Sequence, residues 1–185
     1  ASYSKTQVKM IRIFLIGFMG AGKTTLGEVL SASLGLSFCD LDQYIEQRYM
    51  KSISDIFAQS GEQGFREIEK KMLHEVADFE DVVIACGGST PLFFDNMDYM
   101  LARGETIYLN ASVDTLVRRL KEARSKRPLI AQKSDEELEL FVKSEIKRRE
   151  PGYLRAKHIC SADSLESIDQ ISDTVKEVKR LLEIE

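Results

Sequence analysis

Short apolar runs recur along the chain, and longer stretches between them carry apolar residues at helical spacing. The runs are too short for helices and are rich in Ile, Val, Leu and Phe, so they predict buried strands. They lie at residues 11–16, 37–39, 82–85, 106–109 and 158–161. Continuous apolar strands of this kind favour a parallel sheet that is covered on both faces.

Capping residues mark the starts of several segments between the strands. An acidic or amide residue stands three positions after Ser52, Ser134 and Ser167, which is the pattern of a capping box. The predicted helices cover residues 24–34, a segment from 52, and residues 62–79, 96–101, 112–122, 134–150 and a last segment from 167. Pro151 and Gly152 are expected to end the helix that starts at Ser134.

The alternation of strands and helices predicts an α/β fold with three layers, α/β/α, around a central five-stranded parallel sheet. Ligands of such folds bind where the carboxyl ends of the strands meet. The chain has 185 residues, of which 43% are hydrophobic and 30% charged, so residues 1–185 are expected to form one domain.

Net charge and cysteine content indicate which partners and which cellular setting to expect. The net charge of −4 opposes binding to nucleic acid or to an anionic membrane, so neither is an expected partner. Cys39, Cys86 and Cys160 form no CxxC pair, which favours a reduced, cytoplasmic setting. The apolar segment from Met10 to Met19 is interrupted by Arg12 and runs straight into a glycine loop, which argues against a signal peptide. No run approaches the length of a membrane span.

Residues 17–24 read G-F-M-G-A-G-K-T and match the phosphate-binding pattern G-x-x-x-x-G-K-[ST] between a strand and a helix. The glycines let backbone N–H groups wrap a polyphosphate, and the helix points its positive end at the same place. Lys23 would reach the β- and γ-phosphates, and the Thr24 hydroxyl would bind Mg²⁺. The pattern predicts a P-loop NTPase-like fold whose ATP-binding residues are Gly20, Ala21, Gly22, Lys23, Thr24 and Thr25.

This loop alone does not distinguish a kinase from a switch GTPase or a motor ATPase. Asp40-Leu41-Asp42 follows the second predicted strand and offers two carboxylates for different tasks. Asp40 is suited to face the metal, and Asp42 is suited to face an acceptor alcohol. A D-x-D sequence is also common in surface turns, so further motifs are needed to decide between these interpretations.

Further segments carry a resemblance to a known family. Residues 61–69 read G-E-Q-G-F-R-E-I-E, residues 86–89 read C-G-G-S, and two arginine motifs follow as K-R-P-L at 126–129 and R-E-P-G-Y at 149–153. In this order and at these separations, together with the phosphate loop and the D-L-D pair, the set resembles shikimate kinases. The resemblance extends to Tyr153, and its one clear departure is Ser89, where the family usually has a third glycine.

The resemblance implies a role for each matching residue. Arg66, oriented by Glu69, and Arg149 would bind the carboxylate of the acceptor, and the backbone of Gly88 would approach its ring. Arg127 would close over the ATP phosphates as part of a mobile lid. The implied catalytic residues are Lys23, Asp42 and Arg127, the implied substrate-binding residues are Asp42, Arg66, Gly88 and Arg149, and the implied metal ligands are Thr24 and Asp40.

The resemblance also implies an activity, namely Mg²⁺-dependent transfer of the γ-phosphoryl group of ATP to the 3-hydroxyl of shikimate, a step of aromatic amino acid biosynthesis. ATP and shikimate would be the partners of a monomeric enzyme. Residues 121–133, which are polar and rich in cations, would form the lid, and a helical segment at residues 42–70 would bind the substrate.

Two alternatives stay open at this point. A related small-metabolite kinase such as gluconate kinase shares the phosphate loop and a carboxylate substrate, although the glycine pair after Ala85 and the F-R-x-x-E segment argue against it. A nucleotide-binding module without catalysis is the second alternative, and the retention of Lys23, Thr24 and Asp42 argues against that.

Overall fold

Over residues 10–185, the sheet consists of five parallel strands. The structure, a computed structural model, describes residues 10–185. The strands are β1 (Arg12–Ile16), β2 (Ser37–Asp40), β3 (Val82–Ala85), β4 (Glu105–Asn110) and β5 (His158–Ser161), and they lie side by side in the order β2-β3-β1-β4-β5. The α/β fold and the five-stranded parallel sheet predicted from the sequence are therefore confirmed.

The central strands are buried along almost their whole length. Solvent does not reach four consecutive residues of β1, Ile13 to Ile16, or Ile84 of β3. Successive side chains of a strand point to opposite faces of the sheet, so helices must cover both faces. This burial explains why the strands appear in the sequence as continuous apolar runs.

Within the described residues, seven α-helices connect and cover the strands. They are α1 (Lys23–Leu34), α2 (Leu41–Tyr49), α3 (Ile53–Val76), α4 (Asn96–Arg103), α5 (Val113–Ala123), α6 (Asp135–Tyr153) and α7 (Ile168–Leu181). The hydroxyls of Ser52, Ser112, Ser134 and Ser167 each accept a hydrogen bond from a backbone N–H in the first turn of α3, α5, α6 and α7. Ser52, Ser134 and Ser167, the capping residues named from the sequence, therefore start their helices as predicted.

The largest differences from the predicted helices lie in the segment between β2 and β3. Helix α3 joins the two predicted helices across a kink at Gly61, whose φ of 69° is not helical, and it ends at Val76 rather than at residue 79. Helix α2 was not predicted as a separate element.

The expectation that Pro151 and Gly152 end α6 is wrong, because the helix continues to Tyr153. Proline removes one hydrogen bond to the preceding turn but does not prevent the residues after it from staying helical. Tyr153 is fully buried and its hydroxyl donates to the carbonyl of Gly88, so tertiary contacts fix this last turn.

Within residues 10–185, none of the helices has the length and apolar character that crossing a membrane requires.

Candidate active site

The loops that carry the candidate residues leave the same edge of the sheet, where the carboxyl ends of β1, β2 and β3 lie side by side. In the parallel register Leu15 of β1 pairs with Ala85 of β3, and Ala85 pairs with Asp40 of β2. The D-L-D pair begins at Asp40 itself, and the phosphate loop and the glycine pair begin two residues after Leu15 and Ala85, so all three motifs lie at the carboxyl ends of their strands. The sheet therefore brings together three motifs that lie far apart in the sequence.

Two adjoining cavities open at this edge of the sheet. The first, of about 790 Å³, is lined by the phosphate loop, Asp40 and the start of α1, and we call it the donor cavity. The second, of about 710 Å³, is lined by Arg66, Glu69 and Arg149, and we call it the acceptor cavity. Both are lined by Met19, Asp42, Gly87, Gly88 and Arg127, so these residues lie at the junction. A group passing from one cavity to the other would pass Asp42 and Arg127.

The start of α1 is suited to bind phosphate. Gly22 precedes the helix with a φ of 98°, a conformation that favours glycine, and it has no side chain to cap the first N–H groups. A Cβ at Gly22 would also lie 2.6 Å from Cδ1 of Leu165. The first turn, Lys23-Thr24-Thr25, contains no acidic residue. The free N–H groups and the positive end of the helix dipole therefore face the donor cavity.

Lys23 is the basic group of this loop. Its Nζ donates to the carbonyl oxygens of Gly17 at 2.7 Å and of Phe18 at 2.9 Å. Burial lowers the pKa of Lys23 to about 8, although the nearby Asp42 carboxylate acts in the opposite direction. The amine is still mostly protonated at neutral pH, so it remains available to neutralise phosphate.

The predicted ATP-binding residues do not all face the cavity. Gly20, Gly22, Lys23, Thr24 and Thr25 line it. The sixth, Ala21, is buried, and its carbonyl accepts a hydrogen bond from Arg119. Ala21 can therefore contribute to nucleotide binding through its backbone rather than through its methyl group.

Thr24 and Asp40 lie together at the floor of the donor cavity. The Thr24 hydroxyl donates to Oδ2 of Asp40 at 3.2 Å, while Oδ1 of Asp40 caps α2 by accepting from the N–H of Gln43 at 3.1 Å. Hydroxyl and carboxylate oxygens are the hard donors that suit Mg²⁺, which needs only one or two protein ligands when phosphates complete its shell. The donor set present therefore fits magnesium.

Asp42, in the first turn of α2, is an unusually basic carboxylate. Burial raises its pKa to about 6, and the carboxylates of Asp40 and Glu69 add to the effect. The nearby Lys23 amine acts in the opposite direction and only partly compensates. Asp42 is therefore ionised at neutral pH but binds a proton more readily than an ordinary aspartate, as a general base requires.

The glycine pair brings backbone close to this carboxylate. A Cβ at Gly87 would lie 3.3 Å from Oδ1 of Asp42, and one at Gly88 would lie 3.4 Å from Nη1 of Arg149 and 3.5 Å from the backbone N of Met19. A side chain at either position would occupy the junction of the cavities. Ser89, where the family usually has glycine, has an ordinary φ of −102°, so serine causes no backbone strain there.

Arg66 enters the acceptor cavity from α3. Its Nη1 donates to Oε1 of Glu69 at 3.1 Å, and its guanidinium lies 4.2 Å from the ring centroid of Phe93. Thr90 donates to the second oxygen of Glu69 at 2.9 Å. Burial raises the pKa of Glu69 although Arg66 acts in the opposite direction. Glu69 and the aromatic ring thus orient Arg66, as the sequence suggested for Glu69.

Arg149 enters the same cavity from α6. It is 7% exposed, its Nε donates to Oε2 of Glu145 at 2.9 Å, and its guanidinium lies 5.2 Å from the ring centroid of Phe18. Two guanidinium groups from different helices therefore face one cavity. Their planar donor forks match the geometry of a carboxylate.

Arg127 follows a short 3₁₀ turn, Arg124–Lys126, between α5 and α6. It lines both cavities. Nη1 of Arg124 donates to the carbonyl of Lys133 at 3.1 Å and its Nη2 pairs with Asp135, so Arg124 links the two ends of this segment. Arg127 therefore lies at the junction, in a segment whose two ends are linked by Arg124.

Arg119 is a site residue that the sequence patterns missed. From α5 its Nη1 donates to the carbonyls of Gly20 at 3.2 Å and Ala21 at 3.3 Å, and its Nη2 donates to the carbonyl of Ala162 at 2.7 Å. It thereby ties the phosphate loop to the segment after β5. No local motif marks Arg119, because its partners are backbone atoms far away in the sequence.

Comparisons with known proteins show the family to which this chain belongs. The sequence profile of the family described as shikimate kinase matches residues 19–180. A shikimate kinase of Phocaeicola vulgatus is 51% identical over 173 residues, which cover 94% of this chain and 99% of the relative.

Solved structures give the same result. A crystal structure of a shikimate kinase from Bacteroides thetaiotaomicron aligns with a TM-score of 0.93 at 48% identity, covering 95% of this chain and 100% of the other. A shikimate kinase from Acinetobacter baumannii in complex with shikimate aligns with a TM-score of 0.81 at 30% identity, covering 95% and 94%.

Proposed function

The chain belongs to the shikimate kinase family, and we propose that it transfers the γ-phosphoryl group of ATP to the 3-hydroxyl of shikimate at the junction of the donor and acceptor cavities. The observation that carries this proposal is the position of Asp42 and Arg127, which line both cavities. The reacting oxygen and the transferred group would meet there.

ATP is held by the phosphate loop in this proposal. The free N–H groups at the start of α1 and the Lys23 amine bind the β- and γ-phosphates, and Arg127 reaches the γ-phosphate from the opposite side. Phosphoryl transfer passes through a loose transition state, so the protein contributes mainly alignment and charge stabilisation.

We also propose that Thr24 and Asp40 hold Mg²⁺. Their oxygens lie within hydrogen-bond distance of each other at the floor of the donor cavity, which supports the assignment. When bound, the ion neutralises charge on the β- and γ-phosphates. Asp40 remains fixed for this task because its other oxygen caps α2.

Asp42 acts on the acceptor hydroxyl. Its carboxylate accepts a hydrogen bond from the 3-hydroxyl and aims the oxygen at the γ-phosphate. It takes the proton as the new P–O bond forms and the bond from the γ-phosphorus to the bridging oxygen breaks, which releases ADP. The raised pKa of about 6 supports this role because it increases the proton affinity of the carboxylate.

Arg66 and Arg149 hold the carboxylate of shikimate, and the ring lies against Gly88. Two charged forks on one carboxylate make the site selective for an acid over a neutral polyol. Residues 42–70 supply Asp42 and Arg66, which supports the assignment of this helical segment to substrate binding.

We further propose that residues 121–133 close as a lid, which would exclude water from the transferred group. Residues 1–185 are proposed to form a single domain that acts as a monomer in the cytoplasm.

An assay of ADP release over a panel of acceptors tests the proposed function. Shikimate should stimulate ADP formation far more than gluconate, a nucleoside monophosphate or no acceptor. Equal rates with and without shikimate would contradict the assignment, and stimulation by gluconate alone would support a different metabolite kinase.

A further inference from the structure

Arg149 is held in place by a carboxylate that no sequence motif singles out. Glu145 lies one turn earlier on α6, and its Oε2 accepts a hydrogen bond from Nε of Arg149 at 2.9 Å. The side chains of Arg149 and Glu145 are 8% and 19% exposed, so solvent screens this pair weakly. The pair is therefore more strongly coupled than an exposed ion pair of the same spacing.

Glu145 occupies Nε, and the Tyr153 hydroxyl also lies near the guanidinium of Arg149. Nη1 of Arg149 lies 3.4 Å from the point where a Cβ on Gly88 would stand, which is at the junction of the cavities. A guanidinium is planar, so a hydrogen bond at Nε fixes the directions of both terminal nitrogens. Glu145 thus turns the terminal fork of Arg149 toward the space assigned to the substrate.

Glu145 also contacts a second arginine of α6. Its Oε2 also accepts a hydrogen bond from Nη2 of Arg148 at 2.6 Å. Phe18 contacts the guanidinium of Arg149 over its ring, with 5.2 Å between guanidinium carbon and ring centroid. The carboxylate fixes the plane of the guanidinium, and the ring limits its displacement.

We propose that Glu145 is a positioning residue for the acceptor, which orients Arg149 so that both of its terminal nitrogens bind the substrate carboxylate. The inference rests on the proposed function, because it takes Arg149 as a carboxylate anchor. A different role for the same contact has the opposite consequence: a Glu145 carboxylate that competed with the substrate for Arg149 would weaken binding, and its removal would strengthen it.

Two nearly isosteric substitutions separate the hydrogen bond from the charge. Glu145→Gln removes the charge but keeps an oxygen that can accept from Nε of Arg149, whereas Glu145→Met removes both. The matched control is Glu139→Met, because Glu139 forms an i,i+4 pair with Lys143 at 2.9 Å on the same helix. Glu139 and Lys143 are 49% and 57% exposed, and neither lines the donor or the acceptor cavity.

The KM for shikimate and the KM for ATP are measured for each variant, with thermal unfolding alongside. Glu145→Met should raise the KM for shikimate about tenfold, since a hydrogen bond to a charged group is lost, and leave the KM for ATP unchanged. Glu145→Gln should stay within about threefold of the wild type, and Glu139→Met within about twofold. In an Arg149→Ala background, Glu145→Met should add less than about a further twofold.

A fall in the KM for shikimate in Glu145→Met would show competition and overturn the inference. An unchanged KM with a lowered Tm would show a merely structural role and overturn it as well, as would an equal rise in Glu139→Met. These failures differ from failure of the proposed function, in which the wild-type enzyme itself would show no turnover that depends on shikimate.

Discussion

Replacing Asp42 by asparagine should stabilise the protein while it abolishes most of the activity. The structure raises the pKa of this carboxyl from 3.8 to about 6, chiefly through burial. A difference of roughly two pKa units corresponds to about 3 kcal/mol of free energy that folding loses when Asp42 is ionised. Asparagine has nearly the same shape and no charge, so this cost disappears in the variant.

The net gain is smaller than this limit because asparagine brings an amide N–H₂ group that is itself costly to bury without hydrogen-bond partners. We expect Asp42→Asn to raise the free energy of unfolding by about 1 to 2 kcal/mol at pH 7.5, which corresponds to a rise in Tm of about 2 to 8 °C for a chain of this size. The same substitution should lower kcat by about 10² or more, because the acceptor hydroxyl loses its base.

The sign of the pH dependence follows from the raised pKa. Between pH 3.8 and about 6 the native carboxyl binds more protons than the unfolded one, so its destabilising contribution grows as the pH rises through this window. The advantage of Asp42→Asn should therefore be full above pH 6, shrink as the pH falls toward 4, and vanish below that.

Thermal unfolding of both proteins at pH 7.5 and at pH 4.5 provides the measurement. Equal or lower stability of Asp42→Asn at pH 7.5 would refute the reasoning that the ionised carboxylate is costly. A gain of the same size at both pH values would assign the effect to something other than the charge.

The remaining predictions concern the other groups at the site. Lys23→Met should lower kcat by about 10² or more, and a normal kcat with only a raised KM for ATP would exclude a role in transfer. Arg66→Ala should weaken shikimate binding by about 2 to 4 kcal/mol in calorimetry without changing ATP affinity, whereas Arg127→Ala should lower kcat and leave shikimate affinity nearly intact. Ser89→Gly should change the KM for shikimate by less than about threefold and should not raise the free energy of unfolding. Gly88→Ala should raise the KM for shikimate about tenfold or more. If Ser89→Gly raised both the stability and the affinity for shikimate while Gly88→Ala changed neither, the assignment of the substrate-facing backbone to Gly88 would be wrong.

The sheet could be predicted because its signal is local. Buried parallel strands need apolar residues on both faces, and β1 and β3 therefore stand out as continuous apolar runs. Helix α2 was harder to predict, because its N-cap, Asp40, is also a residue assigned to metal binding, and the segment is short. The continuation of α6 through Pro151 depends on Tyr153, whose partner Gly88 is distant in the sequence.

Some residues of the candidate site could likewise be named from local sequence, and others could not. The phosphate loop is a contiguous motif with a local mechanism, so Lys23 and Thr24 could be named from the sequence alone. Arg119 could not, because it recognises backbone carbonyls of Gly20 and Ala162 that only the fold brings together. Glu145 has a regular helical spacing to Arg149, but many surface pairs share that spacing, and only the burial of this pair distinguishes it.

The most direct test of the account is ³¹P nuclear magnetic resonance of a reaction that contains the enzyme, ATP, Mg²⁺ and shikimate. The account predicts ADP together with one new phosphomonoester signal that couples to the ring proton at C3, and almost no inorganic phosphate. Inorganic phosphate as the main product, or an ester on another hydroxyl, would contradict the claim that Asp42 aims the 3-hydroxyl at the γ-phosphate across the junction of the two cavities.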